Sequence, residues 1–407
     1  MYRSLMMGAA CAAILTASIL GTAGSGVAAG FIETDLVVNK TGLTDSNGVA
    51  HPPPTQTAPV TVDAHLLNPW GLATSSTSPF WVSDNGAGVS TLYNAAGVPQ
   101  PQPTPQNPTA HPLIVSIPTL ANPLANMGTP TGVVFNIVAN TSSPFTFPIT
   151  GGNGTQASAR FIFATEDGTI VGWNPAINPA GSDPAKAGTY GIIATRNPNV
   201  LGGVYKGLEI ATGGKAGTTV GTFLYVTNFR TGEVEMYDTS FTRVNRGAFA
   251  DPNLPRGYAP FNIVHIGDKL VVTYALQDAE KHDDVAGMSH GIVNTFDLSG
   301  GSVHRLIQHG QLNSPWGVAL APDTFGALAK KLLIGNFGNG QINAYDLTTG
   351  EFFDKMRNPH GQAIVIDGLW SLRVGAGNAN GGALNTVYFT AGPNGEQDGV
   401  FGSLAPN

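Results

Sequence analysis

The chain has 407 residues, of which 42% are hydrophobic and only 11% are Asp, Glu, Lys or Arg, and its formal net charge is −7. Disordered chains combine low hydrophobicity with high charge, and soluble domains carry roughly 25% charged residues, so this composition describes a packed globule with a nearly neutral surface. The acidic balance, with no basic run longer than Lys330-Lys331, excludes nucleic acid as a partner.

At the N-terminus, Arg3 gives a basic start. An apolar stretch from Met6 to Leu20 follows, and Val27-Ala28-Ala29 forms a small-residue cleavage site before Gly30. This is the pattern of a secretory signal peptide over Met1 to Ala29, which predicts export to the periplasm or beyond the cell. A membrane span needs about 20 strongly apolar residues. This stretch breaks at Gly21 and Gly24-Ser25-Gly26, and no other segment could span. The single cysteine, Cys11, lies inside the signal. From Gly30 onward, disulfides, thiolate nucleophiles and cysteine-zinc sites are therefore excluded, and packing alone must stabilise the chain.

Fifty-three Gly and 29 Pro leave no uninterrupted helical pattern, and a repeat of strands takes its place. Leu67-Asn68-Pro69-Trp70-Gly71-Leu72-Ala73 returns as Leu312-Asn313-Ser314-Pro315-Trp316-Gly317-Val318-Ala319. Weaker copies open at Thr129, Val204 and Ala259, and a last one is Asp367-Gly368-Leu369-Trp370-Ser371-Leu372. Each copy leads into a second apolar run that ends in a polar turn, such as Phe80-Trp81-Val82-Ser83-Asp84-Asn85-Gly86 or Leu224-Tyr225-Val226-Thr227-Asn228. A third, alternating strand follows, and most repeats carry a fourth. Six four-stranded units predict an all-β, six-bladed β-propeller over residues 30–407 as a single domain. The last repeat lacks a fourth strand, and Thr34-Asp35-Leu36-Val37-Val38 precedes the first. The N-terminal strand is therefore expected to complete the last blade and close the ring. The 378 residues from Gly30 give 63 per blade, above the roughly 40–45 of a compact repeat. The surplus falls in Pro99 to Pro112, Ile137 to Ser158 and Ala176 to Gly188, which read as loop excursions.

In a propeller the first strand of each blade lines the channel, so its start and the end of the second strand share one face. That face is expected to gather Asn68, Asp84, Asn85, Glu166, Asp167, Asn228, Asn262, Asn313 and Asn336, an oxygen-rich ring suited to a hard cation such as calcium or to a saccharide. The same residue types also end strands simply because they stabilise turns. Glu209 stands in register with Ala73, Val134, Val264 and Ala319, so a carboxylate occupies an innermost strand where its neighbours are apolar. It either faces a wet channel and binds a cation or substrate, or pairs with Lys206 or Arg230. The charge-dense loop Gln277 to Asp284 offers His282, Asp283 and Asp284 as ligands or acid–base groups, or is a solvated insertion. Gly287-Met288-Ser289-His290-Gly291 spells the serine-hydrolase motif without the strand before it and helix after it that the motif needs, and reads as coincidence. His265, His304 and His360 lack zinc spacing, and Trp70, Trp316 and Trp370 read as blade packing.

The motifs Asn68-Pro69-Trp70-Gly71, Trp81-Val82-Ser83-Asp84-Asn85-Gly86, Ala164-Thr165-Glu166-Asp167-Gly168-Thr169-Ile170, Val226-Thr227-Asn228-Phe229 and Phe389-Thr390-Ala391-Gly392-Pro393-Asn394 together resemble an uncharacterised bacterial family of exported, propeller-like proteins. Some members of that family carry a PEP-CTERM sorting tail. The sequence ends Ala405-Pro406-Asn407 without one, so sorting by that route is not expected. More loosely, the chain is similar to NHL-repeat and gluconolactonase-type propellers, a resemblance that implies a channel-bound divalent cation and lactone or ester hydrolysis. The leading expectation is an exported monomer that binds a small molecule, saccharide or protein at the channel face, with Asp84, Asn85, Glu166, Asn228, Asn262 and Asn336 as ligand-binding residues. The alternative is a hydrolase whose divalent cation, calcium by preference, is held by Glu209, Asn228, Asn262 and Asp84, and a third reading, a purely structural surface protein, is favoured if Trp and Phe plug the channel.

Overall fold

A computed structural model of the chain describes residues 30–100, 112–125, 128–196 and 202–407. The expected signal peptide, Cys11 and most of the Pro99 to Pro112 excursion lie outside them. Five four-stranded antiparallel sheets and one five-stranded sheet make the six blades. Their innermost strands are Pro69–Ala73, Pro130–Phe135, Tyr205–Ala216, Tyr258–Ile266, Pro315–Leu320 and Leu369–Val374.

The ring closes as the repeat count implied. Phe31–Val38 runs antiparallel to Val400–Pro406 as the fourth strand of blade six, from Phe31 opposite Pro406 to Val38 opposite Val400. Chain ends far apart in sequence thus share one sheet. This non-covalent lock suits a chain with no cysteine after Gly30.

Between blades the core is aliphatic and aromatic, as in the cluster of Val134, Ile162, Leu208, Leu224 and Val226 that joins blades two and three. Glycine lets the innermost strands approach each other. A Cβ on Gly71 would lie 2.3 Å from the Thr131 carbonyl oxygen, and one on Gly132 would lie 2.5 Å from the Leu208 nitrogen. Hydroxyl groups then tie blade to blade: Thr131 Oγ1 donates to Tyr205 O at 2.8 Å and Thr390 Oγ1 to Trp70 O at 2.6 Å. The Ile137 to Ser158 excursion is partly folded, because Pro148–Thr150 pairs with Gln156–Ser158 and buries Phe147 and Ile149 on blade two.

Candidate functional site

The innermost strands share a bulge, and the residue that opens it is Trp70, Thr131, Lys206, Phe261, Trp316 or Trp370. Four of these six are aromatic, and they meet on the axis. Trp70 and Trp370 stack with centroids 3.5 Å apart, while Trp316 stands edge-on to them at 5.9 and 5.8 Å. Phe337 lies flat on Trp370 at 3.9 Å, and Phe229 packs on Phe261 at 5.3 Å. The channel is therefore divided by an aromatic plug, which separates an upper mouth, where the innermost strands begin, from a lower one.

At the upper mouth Lys206, the one cation in that ring, is 1% exposed and sits 4.8 Å above the Trp70 ring centre. Its ammonium donates to Glu166 Oε1 and, at 3.3 Å, to Asp283 Oδ1. Burial alone would lower the lysine, but the Glu166 and Asp283 charges outweigh it and hold the ammonium protonated. Asn85 Nδ2 donates to Glu166 Oε2 at 2.9 Å, and Asn68 Nδ2 donates to Glu396 Oε2 at 2.6 Å. The His282 hydrogen bond, at 2.9 Å, and Lys206 hold Asp283 down at about 2. Glu396 is pushed up to about 7, first by burial and then by the Glu166 and Asp283 charges. Asn68 and Glu396 both hold left-handed backbone, with φ of 45° and 69°, a strain that the surrounding bonds must offset.

The Glu396 shift has a definite consequence for stability. Its folded value lies above the model-peptide 4.5, so the native state binds the extra proton, and stability falls as pH rises from about 4.5 to about 7. Glu396→Gln is expected to raise the melting temperature at pH 8 and to leave it unchanged at pH 4.5, as read by calorimetry at both pH values. An equal shift at both would show that the carboxyl is not desolvated.

Of the residues expected on this face, the structure brings together Asn68, Asn85 and Glu166, joined by His282 and Asp283 from the charged loop. Others turn inward. Asp84 is fully buried, with Oδ2 accepting from Thr91 N and Oγ1 at 2.9 and 2.8 Å, and burial pushes its carboxyl well up. Asn228 donates to Glu235 Oε1 at 2.8 Å within blade three, and Asn336 donates to Gln311 O at 2.7 Å. Strand alternation is the reason. In blades one, two, three and five the last residue of the second strand points between blades, and the next one, Asn85, Glu166, Phe229 or Phe337, turns toward the axis. Asn262 spans two blades, with Nδ2 donating to Trp316 O at 2.7 Å.

Below the plug lies a different site. Glu209 in blade three and Arg373 in blade six occupy equivalent positions on opposite sides of the channel, and both line a cavity of about 60 Å³ that continues into a funnel of about 430 Å³. Glu209 accepts from His265 N at 3.0 Å and Ile210 N at 2.8 Å; burial raises its carboxyl while Arg373 acts against the rise. It faces the channel, and Lys206, one of its two expected partners, is engaged above the plug. Arg373 donates to Thr74 O at 3.3 Å, yet its Nε has no hydrogen-bond partner among the described residues, nor has His265 Nε2 in the same funnel. Burial pulls the guanidinium below its ordinary value, and Glu209 opposes this.

The four residues expected to hold one cation are thus engaged in separate bonds. Asp84 and Asn228 lie inside different blades, and Glu209 lies in the lower channel, so that donor set does not fit a channel-bound cation. Ser289 of the hydrolase-like motif sits in a loop, where Oγ donates to Gly310 O at 3.3 Å.

No protein-family model matches the chain. Among solved structures, streptogramin B lyase aligns with a TM-score of 0.44 and 10% identity over 94% of this chain and 99% of that one. The calcium-binding protein regucalcin from Agrobacterium tumefaciens aligns at 0.45 and 13% over 84% and 90%. Uncharacterized protein R648 of Acanthamoeba polyphaga mimivirus is 30% identical over 349 residues, which are 84% of this chain and 76% of that protein. The chain belongs to the family of this mimivirus protein.

Proposed function

We propose that the protein is an exported binding protein that takes a small anionic ligand, a carboxylate or phosphate ester such as a sugar acid, in the lower funnel. The observation that carries this reading is Arg373, a half-buried guanidinium whose Nε is buried without a partner among the described residues and whose one hydrogen bond to them is the 3.3 Å contact to Thr74 O, lining a funnel of about 430 Å³. An anion there would complete the hydrogen bonds of Arg373 and His265, while Glu209, already bonded to two backbone N–H groups, selects for hydroxyl groups beside the charge. The plug gives the site a floor.

The test is a thermal-shift screen of small carboxylates, sugar acids and phosphate esters on the protein beginning at Gly30, the amino terminus expected after export. A compound that raises the melting temperature of the wild type and not of Arg373→Met supports the reading. Shifts that survive the substitution, or none across the screen, sink it. A divalent-cation-dependent hydrolase of lactones or esters is the second reading, and one observation favours it. Glu166, His282 and Asp283 place ligating atoms within 4.8 Å of one another at the upper mouth. Lys206 holds both carboxylates, so calcium would have to displace it.

A further inference from the structure

At the outer rim of blade six the closing strand carries a second polar cluster, remote from the channel. After Phe31–Val38 the chain turns back on itself. Leu43–Thr44 pairs with Ala50–His51 as a short hairpin, and Thr61–Val62 runs parallel to Val37–Val38. This arm covers the edge that the closing strand would otherwise expose. Glu33, Asp35, Asp45 and His51 meet between arm and strand. Asp35, His51 and Asp45 are 0, 3 and 6% exposed, and Glu33, Asp35 and His51 place ligating atoms within 4.8 Å of one another.

The hydrogen bonds of this cluster leave ligand atoms over. His51 Nδ1 lies 2.8 Å from Asp35 Oδ2, and its Nε2 lies 3.8 Å from Asp45 Oδ2. Asp45 uses Oδ1 for its own turn, accepting from Asn47 N at 3.0 Å and Val49 N at 2.7 Å. Gln56 clamps the backbone of Asp35, with 2.8 Å bonds to its N and O, and not its carboxylate. Asp35 Oδ1, Asp45 Oδ2 and His51 Nε2 consequently have no hydrogen-bond partner among the described residues, although all three are buried. Buried oxygens and nitrogens are rarely left so, and three carboxylates beside one imidazole need positive charge.

We propose that His51 Nε2 and Asp45 Oδ2, with Glu33 beside the imidazole and Asp35 orienting it from Nδ1, hold one divalent cation that fastens the N-terminal arm to the closing strand. A set of one imidazole nitrogen and carboxylate oxygens suits zinc or manganese better than calcium, whose sites are built from oxygen alone. The His51 Nδ1–H bond to Asp35 Oδ2 fixes the tautomer that leaves Nε2 free to ligate, the usual arrangement around metal-bound histidine. In a chain with no cysteine after Gly30, such an ion does the work of a disulfide at the point where the ring is sealed.

The protein from Gly30 onward, stripped with EDTA and dialysed against zinc, is expected to retain one zinc per chain by elemental analysis. At a hundredfold excess over the dissociation constant the melting temperature should rise by about 3 °C. Asp45→Asn keeps the turn acceptor and removes one ligand oxygen, so it should bind zinc about tenfold or more weakly with no fall in metal-free melting temperature. His282→Ala, at the upper mouth, should bind as the wild type does. The proposal is overturned if neither zinc nor manganese is retained or shifts the melting point, if Asp45→Asn binds as well as wild type, or if His282→Ala is the variant that loses the metal. The first of these outcomes would leave a protonated His51 as the counter-charge.

Discussion

Lys206→Met is expected to destabilise the protein by about 3–5 kcal/mol at pH 8, the usual cost of removing one member of a buried ion pair. Methionine keeps the apolar stem over Trp70 but leaves Glu166 without its ammonium, and Glu166 is only 10% exposed at its side chain. Asp283 is 64% exposed, so solvent screens its share. The loss should depend on pH in a particular sense. In the wild type Asp283 is held at about 2, so its contribution is present above the unfolded value near 3.8 and is lost as pH falls from there toward 2. In the variant Asp283 loses the Lys206 charge that helps hold it down, so this contribution is smaller and the deficit should shrink between pH 8 and pH 3. Denaturant unfolding at the two pH values reads this out, with Lys206→Met/Glu166→Gln expected to recover much of the loss. A Lys206→Met protein as stable as wild type at pH 8 would mean that the upper-mouth carboxylates are solvated and carry no buried charge. That outcome would also reopen the trio of Glu166, His282 and Asp283 to a metal ion.

The blades were legible because their signals are local and recur. Proline or glycine marks the strand ends, apolar runs alternate, and the spare strand at Thr34 to Val38 matched the missing strand of the last repeat. Site residues were legible only where they broke the repeat. Glu209 stood out against Ala73 and Ala319, whereas Arg373, its counterpart across the channel, was missed because the last repeat was read only as far as Leu372. Asp84 and Asn228 were expected one residue too early. The strand period of two sends the strand's last residue between blades, and a pattern of Asn and Asp at turns does not fix that phase. Glu396 lies in a turn after Phe389-Thr390-Ala391 whose conformation brings it back to Asn68, and no spacing in the sequence announces such a return. The cluster on the closing strand is dispersed over Glu33, Asp35, Asp45 and His51, and only the fold-back of the arm assembles it.

Trp370→Ala tests the plug, and through it the separation of the two mouths. Trp370 is 1% exposed, stacks on Trp70 at 3.5 Å and on Phe337 at 3.9 Å, and donates from Nε1 to Asn68 Oδ1 at 3.0 Å. Truncation removes the stack, opens a void on the axis and orphans a buried amide oxygen, which together should cost about 3–5 kcal/mol in denaturant unfolding. Trp370→Phe divides the two causes, because it keeps a ring between Trp70 and Phe337 but not the donor, and should recover more than half of the loss if packing dominates. The void left by alanine is lined by Trp70, Trp316 and Phe337, and an apolar cavity of that kind stays dry and accepts a flat hydrocarbon. Added indole should therefore raise the melting temperature of Trp370→Ala and leave the wild type unchanged. If alanine costs less than about 1 kcal/mol and indole has no effect, the aromatic residues do not close the axis. The two mouths would then form one continuous channel, with Lys206 and Arg373 facing the same ligand from opposite ends.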